Sequence, residues 1–159
     1  MKAVLAGSFD PMTLGHLDLV RRGRQMFDEV IVACGHNVNK RTLFGLDERL
    51  DILRESVADL PGVTVMPFSG LLIHFCQEHG VKVILRGLRV ASDFDFELRI
   101  GLANRDMAPE LETIFLLTDP QLLFVSSSLV KEIAAMGGDV SRYLPEPALR
   151  RLRDRPRVA

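Results

Sequence analysis

Apolar residues fall along this chain in two periods. Short apolar-rich runs, Ala3-Val4-Leu5-Ala6, Val30-Ile31-Val32-Ala33-Cys34, Val63–Phe68, Val81–Leu85 and Thr113–Leu117, read as strands, and the fully apolar Val30–Cys34 as one buried between helices. Between the runs the spacing lengthens. Leu17, Val20 and Phe27 mark a helix from Gly15 to Phe27. Leu46, Leu50, Leu53, Val57 and Leu60, at steps of three and four, form the clearest stripe in the chain, and Pro61-Gly62 stops it. A short helix fits Leu71–His79, ended by Gly80, and a long one fits Asp93 to Met107, closed by Pro109. Ser126-Ser127-Ser128 should cap another helix, which ends at Gly137-Gly138. Pro145 and Pro147 open a last short helix that finishes in Arg150-Arg151-Leu152-Arg153.

Apolar strands alternating with helices predict an α/β fold, a doubly wound parallel sheet of five strands. The pattern shows no repeat or linker, so residues 1–159 are expected to form one domain, with a C-terminal helical segment from about residue 140. Ligands of such sheets bind beyond the C-terminal ends of the strands, at the point where strand order reverses. Four polar groups, described below, follow strands one, two, four and five, and this placement predicts one shared site.

Composition narrows the classes. Apolar residues make up 47% and charged residues 26%, and the formal net charge is −1, so the chain is no polycation built to hold nucleic acid. The arginine-rich tail Arg150–Arg157 lacks interleaved aromatics and contains Asp154, which favours a solvated helix end. No apolar run reaches the length of a membrane span, and Gly7, Ser8 and Asp10 interrupt the first one too early for a signal peptide. Cys34 and Cys76 lie in apolar stretches and read as buried thiols. A cytoplasmic protein is expected. His74, Cys76 and His79 hint at zinc, but on a helix their offsets scatter around the axis and a second ligand pair is missing.

The first polar group is Gly7-Ser8-Phe9-Asp10-Pro11-Met12-Thr13-Leu14-Gly15-His16, a strand-to-helix loop with a histidine in the first helical turn. A strand, a tight loop and a helix start gather backbone N–H groups and a positive dipole end around one point, which suits a phosphate. Lys40, in the polar loop after the second strand, forms the second group, with Arg41 left at the surface. The third is Arg86-Gly87-Leu88-Arg89, taken to follow the fourth strand directly; its guanidinium forks suit phosphates. Asp93 and Glu97 come next, one helical turn apart, and could pair with those arginines or attract Mg²⁺. The fourth is Val125-Ser126-Ser127-Ser128-Leu129-Val130-Lys131, serines at a helix start that can cap it and donate to a phosphate.

In kind and order these groups resemble the signatures of the nucleotidylyltransferase superfamily, whose first motif usually reads H-x-G-H. With Thr13 in the first His place, the T-x-G-H variant looks like the phosphopantetheine adenylyltransferase family, and the resemblance runs from Lys2 to about Arg153. It implies a Rossmann-like nucleotidylyltransferase fold and transfer of the adenylyl group of ATP to 4′-phosphopantetheine, giving dephospho-coenzyme A and pyrophosphate. By the same resemblance His16, Lys40 and Arg89 are catalytic. Ser8, Lys40, Arg86 and the backbone at Leu72 hold the acceptor. Ser8, Phe9, His16, Gly87, Leu88, Arg89, Glu97 and the loop Leu122, Leu123, Phe124, Val125, Ser126, Ser127 and Ser128 meet ATP. Mg²⁺ accompanies the nucleotide without a metal site in the chain itself, the assembly is a homohexamer, and coenzyme A is a feedback ligand. Phe96 stands where the family commonly has Tyr, Gly70 where some members are acidic, and Leu122 where some are aromatic.

Two other readings share part of these features. A sister nucleotidyltransferase acting on nicotinamide mononucleotide or a cytidine nucleotide has the first and last motifs, but the T-x-G-H variant and the Arg86–Arg89 and Asp93–Glu97 segments argue against it. A non-catalytic nucleotide-binding module would bind ATP tightly and release no pyrophosphate.

Overall fold

The computed structural model of the chain describes residues 1–155, so Arg157 of the basic tail lies outside the described residues. Five strands, β1 (Lys2–Gly7), β2 (Glu29–Gly35), β3 (Val63–Phe68), β4 (Val83–Leu88) and β5 (Glu112–Leu117), form one sheet in the order β3-β2-β1-β4-β5, all parallel. Six helices connect or flank them: α1 (Leu14–Met26), α2 (Leu46–Ser56), α3 (Leu72–Glu78), α4 (Ala91–Met107), α5 (Ser127–Ala135) and α6 (Glu146–Arg153).

The two-residue period of the strands divides the core. Ala3, Leu5, Val30, Val32, Cys34, Val83 and Leu85 face one side and pack with Leu17, Leu19, Val20, Leu50, Leu53, Val130 and Leu149. Val4, Ala6, Ile31, Ala33 and Ile84 face the other and pack with Ile73, Phe75, Cys76, Ala108 and Leu111. Both faces of the central strand are therefore dry, as the unbroken apolar run requires.

Three boundaries depart from the sequence pattern. The fourth strand runs to Leu88 rather than Leu85, so Arg86-Gly87-Leu88 lies inside it and not after it, paired with Phe115, Leu116 and Leu117 of β5. Hydropathy could not extend a strand through an arginine and a glycine. Backbone pairing does so, and a Cβ on Gly87 would come within 2.6 Å of Leu19 Cδ1. The second helix stops at Ser56 rather than Leu60. The Ser56 hydroxyl donates to the Ile52 carbonyl, and Val57 leaves the helix at φ −113°, ψ 10°, so Val57 and Leu60 bury themselves from a turn. The fourth helix begins at Ala91, which puts Asp93 in its first turn, where a carboxylate meets the dipole favourably.

The serine-capped helix behaves as read. Ser126 Oγ accepts from Leu129 N–H, and at the far end Gly137 adopts φ +83° while Gly137 and Gly138 donate to Ala134 and Ile133. This paired return of N–H groups through a left-handed glycine is a Schellman ending. Cys34 and Cys76 are buried free thiols. No helix among the described residues is long and apolar enough to cross a membrane.

One loop ties the fold to the site. Residues 36–45 carry Lys40 and are anchored by Phe44, which has no solvent exposure. Phe44→Ala should lower unfolding free energy by about 3–5 kcal/mol, the usual cost of emptying a buried phenylalanine site. Urea unfolding monitored by circular dichroism checks this; a change under about 1 kcal/mol would mean that the loop is not anchored by its ring.

Candidate active site

Past Leu85, β4 leaves β1 and keeps only β5 as partner. The gap is the switch point of the sheet, and a cavity of about 460 Å³ occupies it. The N-termini of three helices open onto this cavity: α1 through Gly15 and His16, α4 through Ser92 and Asp93, and α5 through Ser126 and Ser127. Each brings a positive dipole end and first-turn N–H groups without a partner within its own helix, although α1 has spent those of Leu14 and His16 on Tyr143 and Thr13, so the cavity favours an anion before any side chain is counted. A Cβ on Gly15 would meet nothing nearer than Thr13 Oγ1 at 3.6 Å. Packing therefore does not demand the glycine; the bare backbone keeps the wall open for a ligand.

His16 is held by the cap of its own helix. Thr13 is the N-cap, and His16 occupies the place where a capping box usually has Glu. His16 N–H donates to Thr13 Oγ1 at 3.3 Å, and Thr13 N–H donates to His16 Nδ1 at 3.0 Å. A backbone N–H can only donate, so Nδ1 accepts and the ring proton sits on Nε2. The ring packs edge-on against Phe9, with centroids 5.1 Å apart. Burial, then the charges of Arg89 and Arg86, bring the His16 pKa down from 6.5 to about 4. His16 is therefore a neutral N–H donor across the physiological range.

The two arginines are each matched to a carboxylate on α4. Arg86 makes a bidentate pair with Glu97, Nε and Nη2 at 2.6 Å each, and donates to the Ala6 carbonyl at 3.0 Å. Arg89 pairs with Asp93 through Nε at 3.1 Å and reaches the Val125 carbonyl at 3.2 Å. Of the alternatives open for Asp93 and Glu97, pairing with the arginines is the arrangement present. These pairs hold the guanidinium groups in place at the cavity wall.

A second cavity, about 730 Å³, lies on the other side of the β1 loop. Gly7 and Phe9 line the first cavity and Ser8 lines the second, so the loop is the wall between them. Phe9 takes a left-handed φ of +46° and is nearly fully buried, a conformation that a bulky residue keeps only when its surroundings fix it. Lys40 Nζ donates to Ser8 Oγ at 3.0 Å, leaving the hydroxyl proton free for a ligand. The second cavity is lined by Lys40 and Arg49 and by no carboxylate.

Phe9, His16, Arg86, Gly87, Arg89, Glu97, Val125, Ser126 and Ser127 thus meet around one cavity, and Ser8 and Lys40 meet at the other. Leu72, Leu88, Leu122, Leu123, Phe124 and Ser128 line neither. Leu72 and Leu122 pack on the two cores, and Phe124 is half-exposed with its ring against Tyr143. The serines are also divided: the Ser126 hydroxyl caps α5 and the Ser127 hydroxyl donates to the Pro11 carbonyl at 2.7 Å. What α5 can offer an anion is then chiefly the N–H groups of Ser127 and Ser128.

Arg49 escaped the sequence reading. It is 3% exposed and donates to the carbonyls of Ser8, Gly35 and Phe44 at 2.7, 2.9 and 3.2 Å. The signal was present: Arg49 falls within the apolar stripe of Leu46, Leu50 and Leu53, where a charge must be buried or the stripe broken. Among the described residues no cluster of His, Cys, Asp or Glu could hold a metal ion, the His74, Cys76 and His79 group included.

Fold and site together define a nucleotide-handling α/β protein, and a cytidylyltransferase-like family model matches residues 4–133. Phosphopantetheine adenylyltransferase of Nitratidesulfovibrio vulgaris is 48% identical over 153 residues, covering 96% of this chain and 82% of that one. That of Dictyoglomus turgidum is 46% identical over 158 residues, 99% of both chains, and that of Frankia alni 49% identical over 158 residues, 97% of both. The chain belongs to the cytidylyltransferase-like family and, within it, to the phosphopantetheine adenylyltransferases.

The His16 geometry makes a direct prediction. Its ring carbons and nitrogens should titrate by NMR with a midpoint at about 4 and stay unchanged through neutrality. A midpoint at the ordinary 6.5 would mean that burial and the charges of Arg89 and Arg86 do not hold the ring neutral.

Proposed function

We propose that the two cavities are the two halves of one adenylyl-transfer site, the first for ATP and the second for the phosphate end of 4′-phosphopantetheine. The enzyme forms dephospho-coenzyme A and pyrophosphate. The observation that carries this reading is the alternation where β1 ends: Gly7 and Phe9 face a cavity ringed by three helix N-termini, and Ser8 faces one whose lining is cationic.

The chemistry asks little of a base. The nucleophile is an oxygen of the acceptor phosphate, already anionic at neutral pH. It forms a bond to the α-phosphorus of ATP while the bond from that phosphorus to the bridging oxygen breaks, and its electrons leave with pyrophosphate. The obstacle is the approach of two polyanions and the charge that gathers on the α-phosphate. Positioning and fixed donors meet that need. His16 donates its Nε2–H to the α-phosphate without adding or losing a proton. Lys40 and Ser8 orient the acceptor phosphate, Arg86 steadies the acceptor, and Arg89 with the Ser127 and Ser128 amides receives the remaining phosphates. Leu88, Leu72 and residues 122–124 contribute contacts with the adenosine and the pantetheine arm from outside the cavity linings, and Val125 from within the first.

Mg²⁺ enters as part of the nucleotide. Asp93 and Glu97, the carboxylates at the first cavity, are both held by arginines, so the phosphates themselves are the natural seat of the ion. Held there, the ion would supply positive charge against the leaving pyrophosphate.

Assembly follows from α4. None of its residues is buried, and Phe94, Phe96, Leu98, Ile100, Leu102 and Met107 are all exposed. Apolar surface of this extent on one helix fits a contact between subunits, and we assign it to a homohexamer. Coenzyme A, carrying the same pantetheine arm, fits the second cavity as a feedback ligand. The reduced, buried thiols accord with a cytoplasmic enzyme.

Pyrophosphate release with Mg²⁺ and ATP tests the assignment when 4′-phosphopantetheine is compared with nicotinamide mononucleotide. Release is expected only with phosphopantetheine; release only with the other acceptor, or none with either, overturns it. His16→Ala should lower kcat by about 10²–10³-fold with the melting temperature little changed, as for loss of one transition-state donor. Lys40→Ala should lower kcat and raise KM for phosphopantetheine by at least about tenfold each, and unaltered kinetics would remove the loop from the site.

A further inference from the structure

Asp10 lines neither cavity, yet it is bonded to the machinery of both. It is 4% exposed. Its Oδ1 accepts the N–H of Phe44 and its Oδ2 the N–H of Leu43, both at 2.8 Å, and these two residues close the loop that carries Lys40. The same Oδ2 accepts the Lys131 ammonium at 2.7 Å. Lys131 sits on α5, one turn beyond Ser127, whose own hydroxyl bonds back to Pro11 beside Asp10. Three segments that are distant in the sequence therefore meet on one carboxylate: the first loop, the acceptor loop and the serine wall.

Lys131 closes the polar group Val125–Lys131, where a phosphate contact would be the simple expectation for a cation. Instead its ammonium is spent on a buried acid, and it lines neither cavity. Burial pushes the Asp10 carboxyl up, but the Lys131 bond and the Leu43 and Phe44 N–H groups outweigh it and hold the carboxyl below its usual range. The carboxylate thus stays ionised, and each of its three bonds is charge-assisted.

On the site reading above, we propose that Asp10 and Lys131 are a positioning pair that sets the acceptor half-site against the nucleotide half-site, so that Lys40 and the α5 amides converge on one phosphorus. Neither residue touches a substrate. Removing the ammonium releases α5 and leaves the buried carboxylate without its counter-charge, which loosens its hold on the Leu43 and Phe44 N–H groups; removing the carboxylate releases both outright.

The pair is tested with Lys131→Met, Asp10→Asn, the double variant and Lys131→Arg. With wild-type turnover on phosphopantetheine first established, Lys131→Met should lower kcat and raise KM for phosphopantetheine by about tenfold, while the ATP dissociation constant by calorimetry moves less than about twofold. The double variant should be no worse than Asp10→Asn alone, since both remove one interaction, and Lys131→Arg should recover most of the activity. A rise confined to the ATP dissociation constant would make Lys131 a phosphate ligand and overturn the proposal. So would single effects that multiply in the double variant, or unchanged kinetics. Amide exchange, read without substrate, separates this outcome from a failure of the assigned reaction: Lys131→Met should speed exchange at Leu43 and Phe44 by about tenfold or more, although neither touches Lys131. Unchanged exchange at both also overturns the pair. Should Lys131→Met fail to fold, Lys131→Gln carries the same measurements.

Discussion

Past Leu85, β4 keeps β5 and gives up β1, and nearly everything at the top of the sheet depends on that parting. A parallel sheet pairs every central strand on both sides, so a gap at one end costs backbone hydrogen bonds unless other partners take them. Here Arg86, inside β4, reaches back across the gap to the Ala6 carbonyl of β1. One residue thus closes the opening electrically while leaving it open sterically. Gly87 has no side chain to fill it, and a β-carbon there would collide with Leu19. The cavity is a consequence of strand order, and its shape is a consequence of one arginine and one glycine.

Charge in the site is arranged by pairing. Arg86 and Arg89 are each matched to a carboxylate, and His16 is neutral, so the first cavity offers directed N–H groups more than net positive charge. The second cavity, with Lys40 and Arg49 and no acid in its lining, offers the opposite. On the proposed assignment, a nucleotide that brings its own cation would suit the first environment and an acceptor phosphate that brings none the second. Phe96, without a hydroxyl, adds only apolar surface to the first cavity and to the exposed face of α4.

The strands, the helices and the grouping of His16, Arg86, Arg89 and Ser126 around one cavity were legible because each depends on local pattern: two-residue and 3.6-residue periods, glycine and proline punctuation, serine at a helix start. What was not legible depends on atoms distant in the chain. The extension of β4 through Arg86 and Gly87 is made by backbone bonds to β5, which hydropathy does not encode. The bonds from Asp10 to Leu43, Phe44 and Lys131 span 33, 34 and 121 residues. Leu122, Leu123 and Phe124 were placed at the nucleotide by resemblance, and the fold puts them beside the cavity rather than in its lining.

The loop of residues 36–45 is held almost wholly through its main chain. Asp10 takes N–H groups from Leu43 and Phe44, while Arg49 takes carbonyls from Gly35 and Phe44. Besides Phe44, the side chains of Asn37 and Thr42 bond within the loop and Lys40 reaches Ser8, while those of His36, Val38, Asn39 and Arg41 are exposed. The loop's sequence is therefore free to drift while its course, and the station of Lys40 upon it, stays put. On the proposed assignment, a lineage of such enzymes could vary the wall facing the pantetheine arm residue by residue without disturbing the cation that faces its phosphate.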